Sequence, residues 1–481
     1  MNKIIISMTL LLSCASAFAQ QNDKLLQTLK SELSYSMEQL QKQPDHKPYY
    51  MSMRVEDKYT LVLKSSFGNK NGEEEGRVRL FSPQIRIGSK QLDNFKYTTQ
   101  GTQQYQGMSV SQPTMLPLDD NATEGIRAAI WKETNSRYKY ASQVFDEAKT
   151  RIATTTANED KAACFSDAPV EKYYDASIDN RFYHIDKADW LKKLNEISAA
   201  FKAEPELLGG EASLTYQVSR VYFVNTEGTE VVQNRICGRI MLSTQAVAAD
   251  GMSLPLNKDY LAYDLDSLPS VEKMVTDAKD MVKRVLALRN APVADPYTGP
   301  AMLSGEASGV FFHEIFGHRL EGHRLKEGGE TFKKMIGQLV LPKEFQVYCD
   351  PTLRHYAGTD LNGYYKYDDE GVKARRVNNV VNGVLKSFLM SRVPLDGFPE
   401  SNGHGRTSDD KDPVSRQSNL IVETNKPYNE AQMRQMLRAE AKKQGKEYGY
   451  YFKTVTSGYT YTGEGGSLNS FNVTPLEVYR I

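Results

Sequence analysis

Leu26, Leu29, Leu33, Met37 and Leu40 recur at helical spacing, and Pro44 closes that segment, so the chain is expected to begin its fold with an amphipathic helix. The pattern then turns β-rich. YTLVLKSSF from Tyr59 and GRVRLFSPQIRIG from Gly76 alternate or run apolar as sheet strands do. Asn121 is a natural cap for a long helix carrying Ile126, Ile130, Tyr138 and Phe145. A second amphipathic segment holds Trp190, Leu191, Leu194, Ile197 and Phe201. SRVYFVNTEGTEVVQNRICGRI, from Ser219 to Ile240, reads as two strands joined at the turn-rich Asn225-Thr226-Glu227-Gly228. From Ser270 a helix buries Val271, Met274, Ala278, Met281, Val285 and Leu288 on one face. It ends before NAPVADPYTGP, whose prolines and glycine make the best linker in the chain. The predicted class is α+β with mainly antiparallel sheets, long flanking helices and two to three domains. The main boundary is placed between an N-terminal and central region, 20–290, and a C-terminal region, 291–481.

The N-terminus departs from this pattern. Lys3 is followed by an apolar run from Ile4 to Leu12 and by ASAFA, the layout of a secretory signal cut after Ala19. Leu11-Leu12-Ser13-Cys14 also fits a lipoprotein signal acylated at Cys14. Either reading places the protein outside the cytoplasm, in the periplasm or cell envelope. No later run is long enough to span a bilayer. Among 481 residues, 60 Lys and Arg balance 60 Asp and Glu, so no basic surplus favours nucleic acid. With Cys14 removed, Cys164, Cys237 and Cys349 allow at most one disulfide and match no zinc ribbon.

Only seven histidines occur in the chain, yet three fall within FFHEIFGHRLEGHRL, Phe311 to Leu325. His313, Glu314 and His318 form His-Glu-x-x-x-His. Zinc-peptidase histidines are more often four apart, on one helix face. Five apart on an ideal helix they diverge by about 140°. A π-type turn, or unwinding at Gly317, brings them back to one side. Two neutral imidazoles can hold Zn²⁺ with room for a third ligand and water, and an adjacent glutamate is the right type to move the water's proton. The plainer alternative is a charged helix on which Arg319, Glu321 and Arg324 are solvated neighbours of exposed histidines.

PYTGPAMLSGEASGVFFHEIFGHRLEG, Pro296 to Gly322, resembles the active-site segment of the TldD/PmbA metallopeptidases, the modulators of DNA gyrase. VNTEG at Val224, YDDEG at Tyr367, NNVVNGVLKSFL, SNGHGR and PVSRQSNLIV extend the resemblance from about Ser219 to the C-terminus. It implies a TldD/PmbA-like fold and the catalytic, TldD-like type, cleaving peptides or unfolded segments. His313 and His318 would be zinc ligands and Glu314 the general acid/base. The enzyme would work as a homodimer or with a PmbA-like paralogue. The family's third ligand is a cysteine in a glycine-rich segment after a PLxVYR-like strand. Pro475 to Ile481 is that strand, so the third ligand is expected beyond Ile481, with His323 the in-chain candidate and Cys349 a lesser one. His404 reads as a loop residue that could line the cleft or merely shape a turn. Asp368, Asp369 and Glu370 could hold a cation but read more simply as a turn. The alternative function is a non-catalytic or binding subunit that assembles with a catalytic TldD-like partner.

Overall fold

The computed structural model describes residues 20–481 except 98–103, 106–107, 110–112, 155–160, 203, 327–329, 409–410 and 463–470. The signal segment and Cys14 lie outside the described residues.

Two 19-residue strands, Pro48–Ser66 and Asn69–Ile87, form one long hairpin. Gly209–Asn225 pairs antiparallel with the first of them, and Glu230–Val247 follows through the turn at Thr226 to Gly228. Ser253–Ala262 pairs antiparallel with Glu230–Val247, and the short Lys172–Tyr174 pairs with it in parallel. These strands, with Thr114–Met115, make a seven-stranded sheet that is antiparallel except at that one pair.

The strands run longer than the apolar pattern suggested. Their two faces meet different surroundings, so polar residues continue the alternation. Met51, Met53, Val55, Tyr59, Leu61 and Leu63 all point to one side and are buried. Helices Lys24–Gln41 and Thr123–Thr154 pack with one end of that face, and Lys187–Ser198 and Val271–Arg289 with the other. Asp57 sits between the two apolar clusters, buried, and accepts from Arg77 and Arg79. The opposite face carries Arg54, Glu56, Lys58, Gln217, Ser219, Gln233 and Arg235, and these line a cleft.

Beyond the linker the sheets are separate and small. Phe345–Cys349 is central to a four-stranded sheet with Val377–Val381, Val384–Leu385 and Leu420–Thr424. Ala301–Leu303 lies parallel to the start of Tyr450–Thr460, which pairs antiparallel with Phe471–Arg480. The described cysteines Cys164, Cys237 and Cys349 are free and buried, so no disulfide joins them. No described helix is long and apolar enough to cross a membrane.

Among several links between residues before and after the linker is Arg392, whose side chain is fully buried. It donates to both oxygens of Glu227, at 2.6 and 2.9 Å, and to the Ser166 carbonyl at 2.6 Å. Its guanidinium lies 3.9 Å over the Phe165 ring. Glu227 belongs to the turn that the sequence marked, so a hairpin loop of the first region becomes a socket for the second.

Candidate metal and catalytic site

The site is built by a helix that stops early. Ser304 caps Gly305–Ile315: its hydroxyl accepts from the Ala307 N–H at 3.0 Å and donates to the Lys453 carbonyl at 2.6 Å. One side chain therefore starts the helix and ties it to the strand behind. Phe316 leaves the helix at φ −114° and ψ −55°, and Gly317–Leu320 continues as a 3₁₀ turn. Unwinding at Gly317, not a π-type turn, thus accommodates the fifth residue between the histidines. A Cβ at Gly317 would meet the Gln417 side-chain amide, so a larger residue there would push that amide aside.

The unwinding brings the rings of His313 and His318 to 4.6 Å between centroids at 73°. Glu314 lies between them, one oxygen 3.8 Å from His313 Nε2 and the other 3.7 Å from His318 Nε2. One donor atom from each of the three lies within 4.8 Å of the others. Glu314 is buried, and its Oε2 has no hydrogen-bond partner. An orphaned carboxylate oxygen, buried beside His318, is costly unless a cation or water completes it. Burial, and then the neighbouring His318, lower the His313 pKa, which favours the neutral ring that a metal ligand needs. The donor set therefore fits a divalent metal.

His318 is oriented from behind. Its Nδ1 is 3.2 Å from both oxygens of Glu321, leaving Nε2 for the Glu314 side. Glu321 is fully buried, which alone would raise its pKa; the His318 hydrogen bond, with Arg416 and Arg324 nearby, instead holds it at about 2. Carboxylate–imidazole pairs of this kind fix a ligand's tautomer and ring angle. The Gln417 amide Nε2 stands 3.4 Å from both the His313 carbonyl and His318 Nδ1. Opposite, the Thr460 hydroxyl donates to the Glu314 carbonyl at 2.5 Å.

The other sequence candidates lie apart from this group. His323 is buried outside the mutually close donors, with Nδ1 unpartnered and its pKa lowered to about 4 by burial. Cys349 is interior to its strand, and burial pushes its thiol up to about 12. His404 is fully buried, with Nδ1 against the Asn402 carbonyl and Nε2 near the Ser418 hydroxyl, at 3.2 and 3.1 Å. The Asp368–Glu370 segment is a turn, as its glycine suggested, but a buried one. Asp368 accepts from the Glu370, Val372 and Gly405 N–H groups, and Arg54 and Arg406 pair with Asp369.

Glu370 makes a testable contribution to stability. Burial raises its pKa from 4.5 to about 7, so between these values the folded state holds a proton that the unfolded chain has released. Stability from this group is lost as pH rises through that window and is level above it. Glu370→Gln keeps an acceptor for the Arg392 N–H, which Glu370 binds at 2.6 Å. Its melting temperature relative to wild type should therefore climb from pH 5 to pH 8; a constant difference across that range would exclude this role.

Residues 296–465 match the PmbA/TldA metallopeptidase C-terminal domain. A metalloprotease of Archaeoglobus fulgidus is 30% identical over 147 residues, 31% of this chain and 33% of that protein. One of Methanothermobacter thermautotrophicus is 28% identical over 207 residues, 42% of this chain and 43% of that protein. The chain thus spans less than half the length of these curated relatives. Among solved structures, TldE from Thermococcus kodakarensis superposes with a TM-score of 0.59 at 14% identity, covering 94% of this chain and 88% of that one. A likeness at that identity concerns the fold.

Proposed function

We propose that this chain, whose residues 296–465 carry the C-terminal domain of the PmbA/TldD metallopeptidases, hydrolyses peptide bonds with zinc held by His313 and His318. The observation that supports this reading most directly is the convergence of the two imidazoles around the buried Glu314 carboxylate, one of whose oxygens is unpartnered. When bound, the metal supplies Lewis acidity, making water a better nucleophile and polarising the scissile carbonyl. Glu314 takes the proton of the attacking water and returns it to the leaving amine. His313 and His318 serve as neutral donors. Glu321 keeps the second of them turned toward the site. We further propose export to the periplasm or envelope, and assembly as a homodimer or with a PmbA-like paralogue.

Metal analysis of the full-length protein, with peptide cleavage assayed before and after chelation, tests the reading directly. Cleavage should vanish on chelation and return with Zn²⁺; metal-free protein that cleaves equally well would overturn it.

The strand behind the helix gives a sharper prediction. A Cβ added at Gly458 would come within 2.6 Å of Glu314 Cγ and 3.0 Å of the Asn472 carbonyl. Gly458→Ala should therefore displace the Glu314 carboxylate at a modest cost in global stability, because the position is only half-buried, on a strand. Turnover should fall at least about tenfold, the size expected from misplacing a catalytic group, with the melting temperature shifted by only a few degrees. Unchanged turnover would show that Glu314 is not held by this contact.

A further inference from the structure

We propose that the cleft beside the histidine site binds the carboxylate of an acidic peptide, with Arg416 as its principal contact and Arg354 and Arg235 in support. The proposal builds on the peptidase reading by naming its substrate class. The cleft has a volume of about 1360 Å³. One wall is the polar face of the seven-stranded sheet; the other is formed by residues 323–324, 354, 362–366, 369, 406–408, 411–412, 414 and 416–418. Although the whole chain is neutral, with 60 basic and 60 acidic residues, these walls carry ten Lys and Arg against five Asp and Glu.

Pairing decides which of these cations remain available. Arg54 and Arg406 are engaged by Asp369, Lys366 by Asp175, and Arg324 by Glu321. Among the described residues, Arg235 and Arg354 form no ion pair. Arg354 stacks on the Tyr263 ring at 4.7 Å. Arg235 donates from Nη2 to Asn362, and its Nε is buried without a partner. Arg416 reaches only Glu321, through Nε at 3.5 Å, with 40% of its side chain exposed. Glu321 is already approached by Arg324 and His318. One carboxylate therefore faces two guanidiniums and an imidazole, leaving uncompensated positive charge on the cleft side.

Position ties this charge to the chemistry. Arg416 directly precedes Gln417, whose amide lies against His318 Nδ1 and the His313 carbonyl. A carboxylate on Arg416 would hold its peptide beside the catalytic group. A planar guanidinium with free terminal nitrogens suits bidentate carboxylate binding. Glu56, Asp264 and Asp266 interrupt the basic wall and would repel a continuous phosphate backbone, so peptide is favoured over nucleic acid.

The test uses zinc-loaded, full-length Glu314→Gln protein and rhodamine-labelled octapeptides of Ala, Gly and Ser. One series carries a central Glu and its counterpart a Gln, each with a free or an amidated C-terminus. Fluorescence anisotropy should show about tenfold tighter binding when the recognised carboxylate is present, the size of one charge-assisted contact. Sensitivity to Glu→Gln identifies a side-chain carboxylate, and sensitivity to amidation the C-terminal one. Arg416→Gln should erase the difference, and the exposed Arg354→Gln should reduce it if the first variant folds poorly. Equal binding of all four peptides, a preference that survives both arginine changes, or displacement by oligothymidylate at lower concentration than by a Glu peptide would overturn the proposal. Because binding is read without turnover, a failure of the peptidase reading appears separately, as zinc-loaded wild-type protein that binds these peptides but does not cleave them.

Discussion

Glu314→Gln will lower peptide cleavage by about 10²–10⁴-fold, the range that a general acid–base group contributes, while bound zinc stays close to the wild-type amount. The amide preserves the shape of the side chain but cannot accept and return a proton. Its place is already fixed by the Thr460 hydroxyl on the Glu314 carbonyl and by the close approach of Gly458, so the substitution should remove chemistry without moving the backbone. His313→Ala and His318→Ala differ in kind: each deletes a donor from a group that has only two imidazoles, and both zinc and activity should be lost. The glutamine variant separates two roles that the geometry alone permits for Glu314, because its oxygens lie as close to the imidazoles as a third ligand would. Retention of more than about a tenth of the activity would exclude the acid/base role, and loss of the metal would make Glu314 a ligand.

The second large effect is on stability. Arg392→Met should cost about 3–5 kcal/mol, the range for removing one partner of a buried ion pair. Glu227 would lose both guanidinium bonds and the Ser166 carbonyl its donor. The urea midpoint should fall, and because the contact joins the two regions, the slope of the transition should broaden as they part at different concentrations. Arg392→Met combined with Glu227→Met should recover much of the loss, since the penalty comes chiefly from the uncompensated charge. A single variant within about 1 kcal/mol of wild type would mean that this ion pair contributes little to holding the regions together.

Local pattern reached much of this. The helices at Lys24–Gln41 and Val271–Arg289 and the turn at Asn225 follow from spacing and caps that a few neighbouring residues define. Gly317 was legible as the point of unwinding because five-residue spacing on a helix needs a distortion there. Glu321 was not. Among Arg319, Arg324 and other charged residues it reads as a solvated side chain, yet it is fully buried behind His318. Its three-residue spacing from His318 was the available signal; what buries it is Leu389, almost seventy residues away, whose backbone brackets the segment through the Leu320 carbonyl and the Gly322 N–H. Arg416, Gln417, Gly458 and Thr460 are likewise remote in sequence, and no local period marks them. The seven-stranded sheet shows the same limit: alternation identifies two faces, but which face takes the helices and which lines the cleft depends on the rest of the chain.

The three described thiols also turn the molecule into its own reporter of opening. Cys164 lies by the joint between the regions, Cys237 on a strand of the large sheet, and Cys349 within the core of the second region. Burial pushes the first up to about 11 and the third to about 12, and raises the second. At neutral pH each is therefore both shielded and protonated, the least reactive state a cysteine can take. A thiol reagent will label a given cysteine only when its surroundings part, so the order of labelling ranks the joint, the sheet and the second core by how readily each one breathes.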